Sequence, residues 1–173
     1  MVELPNLILI RHGQSVWNAE NRFTGWTDVD LSDKGVKEAE AAGHELRDQV
    51  IDVVHTSDLI RAKRTAEIVI RANGSSKEAV TKSDWRLNER NYGSIQGLNK
   101  AETAERTIPY FEGEILPDLQ SGMSVLVSAH GNSLRSIVMH IEGISPQEIV
   151  SFEIETGVPR YYDYSNGELS LID

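Results

Sequence analysis

The sequence has no cysteine, few basic residues and no long apolar run. The absence of cysteine from 173 residues excludes disulfides, thiolate catalysis and cysteine-ligated zinc sites, and it fits a reducing cytoplasm. The 17 Lys and Arg residues are outnumbered by 27 Asp and Glu residues, and the net charge of −10 argues against nucleic-acid or anionic-membrane partners. No apolar run approaches the ~20 residues of a transmembrane helix, and the N-terminal apolar stretch is too short for a signal peptide. We therefore expect a cytoplasmic protein.

The chain length fits a single domain over residues 1–173, since no repeat, low-complexity segment or Pro/Gly-rich linker divides it. Short apolar runs alternate with stretches of helical periodicity, a pattern that predicts a mainly parallel α/β sheet. Ser32 is the predicted N-cap of the first long helix, and the second ends at Asn73-Gly74. Ser145 opens a capping box near the C-terminus. Strands are predicted at 6–10, 52–55, 79–82 and 124–129.

Several further segments have weaker patterns. Residues 85–99 are predicted to form a polar loop, and residues 107–120 are predicted to be helical only in part because they contain Pro109 and Pro117. Residues 56–58 offer caps for the helix that follows them. Extended, partly antiparallel segments are predicted at 152–154, 160–164 and 169–172.

Two histidines occupy the same kind of position. His12 and His130 each follow a predicted strand directly and precede a glycine. Ligands of open α/β sheets bind at the carboxyl ends of strands, so both histidines would face one crevice if their strands are neighbours. Arg11 and the helix start after His130 would attract an anion there. The glycines would let the backbone approach that ligand closely.

Other interpretations of the two histidines remain open at this point. Each could merely cap a turn. A metal site fits poorly, because Arg11 repels cations and no carboxylate lies at ligand spacing. Histidine with arginine fits phosphoryl transfer through a phosphohistidine, since neutral imidazole, with an ordinary pKa of ~6.5, is a nucleophile and guanidinium groups bind phosphate oxygens. The candidate arginines for this clamp are Arg11, Arg22, Arg61 and Arg90.

The stretch LILIRHGQSVWNAENRFTGWTDVDLSDKG, which begins at Leu7, resembles the N-terminal motif of the histidine phosphatase superfamily in its cofactor-dependent phosphoglycerate mutase form. The short RHG core is common to many phosphatases, whereas the part from Trp17 to Trp26 is far more specific to the mutases. The resemblance continues to about Ser170. Further matching segments, in the family's order, are Ser57–Ala62, Leu87–Gln96, Gly97–Glu105 and Ala129–Arg135.

The resemblance implies a three-layer, mainly parallel open sheet with helices on both faces. It implies that His12 is the nucleophile, that His130 stabilises the transferring phosphoryl group and that Glu89 is the general acid and base. The phosphate pocket that it implies is built by Arg11, Asn18, Arg61, Gly131 and Asn132 together with His130. The residues implied to hold the rest of the substrate are Thr24, Gly25, Arg90, Tyr92 and Lys100.

The activity implied by the resemblance is interconversion of 3-phosphoglycerate and 2-phosphoglycerate, in glycolysis and gluconeogenesis. The cofactor would be 2,3-bisphosphoglycerate, which primes the enzyme, and no metal would be needed. Two alternatives stay open: a phosphatase of the same fold acting on small phosphate esters, and a binding module that has lost turnover. Family members are often homo-oligomers, but no interface can be identified in this sequence.

The sequence departs from the family pattern in one place. Between Glu105 and Arg106 it lacks a mobile cover segment of several dozen residues that includes a substrate-contacting arginine pair, and the usual tail is missing after Asp173. Either the chain is a short form with a more open site, or residues of the protein are absent from the printed sequence. We favour the second explanation, because both absent segments are mobile parts of the family.

Overall fold

A six-stranded sheet forms the centre of the computed structural model, which describes residues 6–22, 24–90 and 99–172, with the backbone alone for 99–102. The strand order is β3-β2-β4-β1-β5-β6. Strands β1 to β4 pair in parallel, while β5 runs antiparallel to both β1 and β6. The prediction of a mainly parallel sheet is confirmed. The strands are β1 (Leu7–Arg11), β2 (Val53–Thr56), β3 (Val80–Ser83), β4 (Val125–Ala129), β5 (Arg160–Ser165) and β6 (Glu168–Leu171).

Helices cover both faces of this sheet, as predicted. The alternation of β1 directs Leu7 and Leu9 into the apolar cluster that includes α6. It directs Ile8 and Ile10 into the cluster that includes α2 and α3. The helices are α1 (Val16–Ala19), α2 (Asp33–Glu45), α3 (Ile60–Asn73), α4 (Asn99–Tyr110), α5 (Leu116–Gln120), α6 (Gly131–Glu142) and α7 (Pro146–Ile149).

The pairing of β1 with β4 fixes the place of the two histidines. Arg11 lies opposite Ala129 in the parallel register. The backbone N–H of His12 then donates to the carbonyl of Ala129 at 3.0 Å. His12 and His130 therefore lie side by side, at the carboxyl ends of two adjacent strands. The two strands are neighbours, as the prediction of one shared crevice requires.

The helix boundaries follow the sequence at most positions. The Ser32 hydroxyl caps α2 by accepting from the Gly35 N–H, and α3 ends at Gly74 in the left-handed conformation. The Ser145 capping box is present. The start of α3 differs from the prediction, because its N-cap is Leu59 and no side chain caps it.

Three segments depart from their predictions. Residues 85–87 form a 3-10 turn, in which Trp85 is exposed and Leu87 is fully buried, where a polar loop was predicted. Residues 99–120 are continuously helical, since a π-helical segment at Phe111–Ile115 joins α4 to α5. Pro109 lies inside α4, just before this π-helical segment. Residues 152–154 form no strand.

His55 anchors this long helical segment to β2. Its ring is fully buried, and Nε2 lies 2.7 Å from the Asp118 carboxylate while Nδ1 lies 2.7 Å from the Tyr110 hydroxyl. Burial lowers the pKa of His55, so the ring is neutral. Nε2–H therefore donates to Asp118, and Nδ1 accepts from Tyr110.

Among the helices of the described ranges, none is long and apolar enough to cross a bilayer.

Candidate active site

His12 has the environment of an uncharged nucleophile. The side chain is 3% exposed, and its Nδ1–H donates to the Gly13 carbonyl at 2.7 Å. This bond leaves the lone pair on Nε2. Burial, and after it the nearby Arg61 guanidinium, lowers the pKa of His12 from 6.5 to about 3. The imidazole is therefore neutral at physiological pH, the state in which it can attack phosphorus.

The glycines that follow the two histidines lie in different surroundings. A Cβ on Gly13 would lie 2.3 Å from the carbonyl oxygen of Gly35, so this glycine is required where the loop packs against the first turn of α2. This packing contact is one reason for glycine at position 13, and close approach of its backbone to a ligand stays a prediction. A Cβ on Gly131 would lie 3.7 Å from the Arg11 guanidinium, which places Gly131 on the wall of the cavity.

His130 lies beside His12 and is held by a residue that the sequence argument assigned elsewhere. The ring centroids of the two histidines are 5.0 Å apart. His130 Nε2 and the Ser57 hydroxyl form a buried hydrogen bond of 2.7 Å, and the Leu59 N–H donates to the same hydroxyl at 3.2 Å. Ser57 therefore fixes the His130 ring. Burial, with the nearby charges, lowers the pKa of His130, so this ring too is neutral.

Two arginines bring positive charge to the same place. Arg11 donates to the carbonyl of Ile154 at 3.0 Å, which ties it to the segment after α7. Arg61 is 1% exposed and donates to the carbonyls of Gly25 at 2.6 Å and Thr27 at 2.9 Å. Arg61 thus joins the start of α3 to the loop that carries Thr24 and Gly25.

Glu89 is positioned by four hydrogen bonds. Its backbone carbonyl accepts from the Trp26 indole at 2.5 Å and from the Arg106 guanidinium at 2.9 Å. Its carboxylate accepts from the N–H of Arg90 at 2.8 Å and from the N–H of Asn132 at 3.3 Å. The carboxylate is therefore directed to the start of α6, where the two histidines also lie.

These residues enclose a cavity of about 400 Å³, which brings together most of the predicted site residues. His130 lies behind His12, and Arg90 lines a neighbouring cavity. Tyr92 and the side chain of Lys100 lie outside the described residues. The lining residues of the first cavity, which we call the phosphate cavity, are Arg11, His12, Asn18, Asn21, Arg22, Thr24, Gly25, Arg61, Glu89, Gly131, Asn132 and Arg135.

Sequence reasoning missed Ser57, Arg106 and Arg135 in this region. Ser57 stands in the matched segment Ser57–Ala62, and Arg135 ends the matched segment Ala129–Arg135. Their positions within these matched segments could have identified both as site residues. Arg106 is buried, and it lies beside the junction that lacks the cover segment, so the resemblance gave no signal for it.

The other arginines near the site pair with carboxylates or stack on an aromatic ring. Arg64 contacts the Asp30 carboxylate at 2.6 Å, and this ion pair joins α3 to the loop between β1 and α2. Arg86 pairs with Asp84, and Arg22 stacks on the Trp17 ring at 3.9 Å.

The chemistry of the phosphate cavity is that of an anion site. Guanidinium groups line it, and the start of α6 presents backbone N–H groups to it. Over the part of the chain that the structure describes, no group of three or more His, Cys, Asp or Glu side chains could hold a metal ion.

Comparison with known proteins agrees with this geometry. The profile of the histidine phosphatase superfamily (branch 1) matches residues 7–117. A protein of Staphylococcus carnosus, named 2,3-bisphosphoglycerate-dependent phosphoglycerate mutase, is 42% identical, with 92% of this chain and 94% of the relative covered. A protein of the same name from Zymomonas mobilis is 38% identical, with 94% of each chain covered. The Staphylococcus alignment spans 216 residues, more than this chain contains, so the relative has residues with no counterpart here.

Solved structures have the same fold. A phosphoglycerate mutase from Bacillus anthracis superposes with a TM-score of 0.81 at 20% identity, covering 96% of this chain and 90% of the other. A phosphoserine phosphatase from Entamoeba histolytica superposes with a TM-score of 0.78 at 17% identity, covering 96% and 94%. The chain therefore belongs to the histidine phosphatase superfamily (branch 1), within the family of the 2,3-bisphosphoglycerate-dependent phosphoglycerate mutases.

Proposed function

We propose that this enzyme interconverts 3-phosphoglycerate and 2-phosphoglycerate through a phosphohistidine at His12. The observation that carries the proposal is the neutral, buried imidazole, with Nδ1–H bound to the Gly13 carbonyl, at the wall of an arginine-lined cavity. The identity of about 40% with proteins named for this activity supports the choice of substrate. With these substrates we infer a role in glycolysis and gluconeogenesis and a cytoplasmic location.

Transfer begins when a phosphate ester enters the phosphate cavity. His12 Nε2 attacks phosphorus, the bond from phosphorus to the ester oxygen breaks, and the phosphoryl group remains on His12. Arg11 and Arg61 neutralise charge on the phosphoryl oxygens, and the N–H groups at the start of α6 bind them further. His130 stabilises the group during transfer.

Glu89 acts as the general acid and base for the ester oxygen. It donates a proton to the leaving oxygen when His12 is phosphorylated, and it takes a proton from the substrate hydroxyl when the group returns. The hydrogen bonds from Trp26 and Arg106 to its backbone support this role, because they hold the carboxylate beside the reacting atoms.

The cofactor in this proposal is 2,3-bisphosphoglycerate, which primes His12 and is also the intermediate. Phospho-His12 donates to a monophosphoglycerate, the bisphosphate reorients, and the other phosphate returns to His12. Thr24, Gly25, Arg90, Tyr92 and Lys100 hold the glycerate part, and Asn18 belongs to the phosphate pocket. No step in this scheme uses a metal.

A coupled mutase assay with and without 2,3-bisphosphoglycerate tests the function. We expect conversion of 3-phosphoglycerate that depends on the bisphosphate and persists in EDTA. A generic phosphatase assay runs beside it. Hydrolysis of small esters without bisphosphate-dependent conversion would replace this function by that of a phosphatase, and activity lost in EDTA and restored by a divalent cation would contradict the metal-free scheme.

Ser57 is a positioning residue, and its removal has a distinct expected effect. In Ser57→Ala the 2.7 Å bond to His130 is lost, and we expect kcat for the mutase reaction to fall ~10-fold with little change in KM, since one buried hydrogen bond contributes about 1–1.5 kcal/mol. Ser57→Thr keeps the hydroxyl and should restore most of kcat. An equal loss in both variants, or a change confined to KM, would contradict a role through the hydroxyl.

A further inference from the structure

The phosphate cavity holds more positive charge than one phosphate group requires. Among the described residues that line it there are four arginines and one carboxylate, which belongs to Glu89. In the proposed reaction Arg11 and Arg61 bind the phosphoryl group that is transferred, and their two charges match those of a phosphate dianion. The other two arginines, Arg22 and Arg135, take no part in that step.

Arg135 lies beside Arg11 at the start of α6. A Cβ on Gly131 would lie 3.7 Å from Arg11 Cζ and 3.8 Å from Arg135 Nη1, so the two guanidinium groups flank the same point on the cavity wall. Like charges at such a distance repel each other, and an anion that contacts both relieves the repulsion. Phosphate groups on adjacent carbons of one molecule can therefore reach Arg11 and Arg135 together.

The hydrogen bonds of Arg135 go to neutral groups. Nε donates to the carbonyl of Phe152 at 2.7 Å, and Nη1 donates to the amide oxygen of Asn132 at 3.3 Å. These bonds hold the guanidinium at the cavity and leave the N–H groups of Nη2 for a ligand. Over the ranges that the structure describes, no carboxylate forms an ion pair with Arg135.

Arg22 reaches the cavity from the loop after α1. Its guanidinium stacks on the Trp17 ring, 3.9 Å from the ring centroid, and it pairs with Glu20 at 3.3 Å. Both side chains of that ion pair are more than half exposed, so water screens it and it stabilises the conformation little. Stacking occupies the face of the guanidinium plane and leaves N–H groups at its edge for an anion.

We propose that Arg22 and Arg135 form a subsite for the phosphate group of 2,3-bisphosphoglycerate that does not react with His12. The inference rests on the proposed function and adds two substrate-binding residues to it. The second phosphate is a dianion at physiological pH, and two guanidinium groups match its charge and bind its oxygens through paired hydrogen bonds.

The test compares a ligand that has one phosphonate group with a ligand that has two. Butane-1,4-bisphosphonate has as many atoms between its phosphorus atoms as 2,3-bisphosphoglycerate has, and its P–C bonds prevent transfer to His12. Butylphosphonate is the same carbon chain with one phosphonate group. Calorimetric titration gives both Kd values. We expect their ratio, butylphosphonate over bisphosphonate, to be ~30 or more in the wild-type enzyme, because hydrogen bonds between charged groups each change affinity ~10-fold or more.

Replacement of either arginine should lower this ratio while the Kd of butylphosphonate changes little. We expect a decrease of ~10-fold in Arg135→Gln and, since the Arg22 side chain is more exposed to water, ~3-fold in Arg22→Gln. Arg135→Lys keeps the charge and should retain part of the ratio. Arg64→Gln is the matched control, because Arg64 pairs with Asp30 and is absent from the lining of the phosphate cavity.

Arg22→Gln also protects the test against misfolding of Arg135→Gln, since a side chain that is more than half exposed can be replaced without loss of core contacts. Thermal melting of each variant checks the fold. A wild-type ratio near 1, or a ratio unchanged in the folded variants, overturns the subsite. An equal loss of affinity for both phosphonates overturns it too, because that result assigns the arginines to the reacting phosphate or to local structure.

Labelling of His12 by 2,3-bisphosphoglycerate separates this inference from the proposed function. Labelling of the wild-type enzyme together with an unchanged ratio in both variants overturns the subsite alone. Absence of labelled His12 overturns the proposed function and the subsite for its bisphosphate with it. A ratio that falls in Arg22→Gln and Arg135→Gln, but not in Arg64→Gln, supports the inference.

Discussion

The His12→Ala variant is expected to lose mutase activity by at least ~10⁴-fold and to lose any phosphatase activity with it, because removal of a nucleophile eliminates the covalent route. Nε2 is the nitrogen left available by the bond from Nδ1 to Gly13, and alanine supplies no replacement. Acid-stopped incubation with labelled 2,3-bisphosphoglycerate should give no protein-bound phosphate. Mutase rates and protein labelling are the two measurements.

His44→Ala is the matched control for this experiment. His44 lies on the exposed side of α2 and is absent from the phosphate cavity, so its removal should leave both readouts unchanged. Appreciable turnover or labelling in His12→Ala would refute the assignment of His12 as nucleophile and would direct attention to His130.

The second large effect is expected when Glu89 can no longer transfer a proton to or from the substrate oxygen. In Glu89→Gln we expect mutase kcat to fall by ~10²–10⁴, while affinity for phosphate stays close to that of the wild type. Glutamine keeps an oxygen for the N–H groups of Arg90 and Asn132, so the local structure persists. It cannot donate or take the proton at physiological pH. Single-turnover rates measure the transfer, and phosphate titration measures the affinity.

The loss in Glu89→Gln should depend on the leaving group. An ester such as p-nitrophenyl phosphate releases a stable anion and needs little protonation, so its phosphorylation of His12 should suffer much less than that from 2,3-bisphosphoglycerate. Glu67→Gln, on the exposed side of α3, serves as the control. Equal losses with both donors would show that Glu89 acts by another route than proton transfer.

The parts of the fold that could be predicted are those set by local patterns. The apolar runs at β1 and β4 and the caps at Ser32 and Gly74 depend on neighbouring residues alone, and the structure has them. The helical segment 99–120 could not be predicted in full. Two prolines weaken its local pattern, whereas burial of Phe111 and Ile115 and the bonds to His55 are contacts with distant parts of the chain.

The candidate site divides in the same way. His12 and His130 each follow a strand directly in the sequence. This pattern predicted that they share one crevice, because the ends of parallel strands meet at one edge of a sheet. Ser57 resembles a helix cap in the sequence. In the structure its hydroxyl forms a hydrogen bond with His130, which follows the neighbouring strand. Arg106 resembles a surface residue, yet it is buried and bound to three backbone carbonyls. A one-dimensional pattern does not contain such long-range partners.

The pairing of β1 with β4 makes the reacting centre and the choice of substrate separable during evolution. Main-chain hydrogen bonds between β1 and β4 set the spacing of His12 and His130. Segments that surround the leaving group can be lengthened, shortened or exchanged without moving the nucleophile. Grafting a loop onto this scaffold would therefore change which alcohol is accepted while the phosphoryl chemistry stays the same.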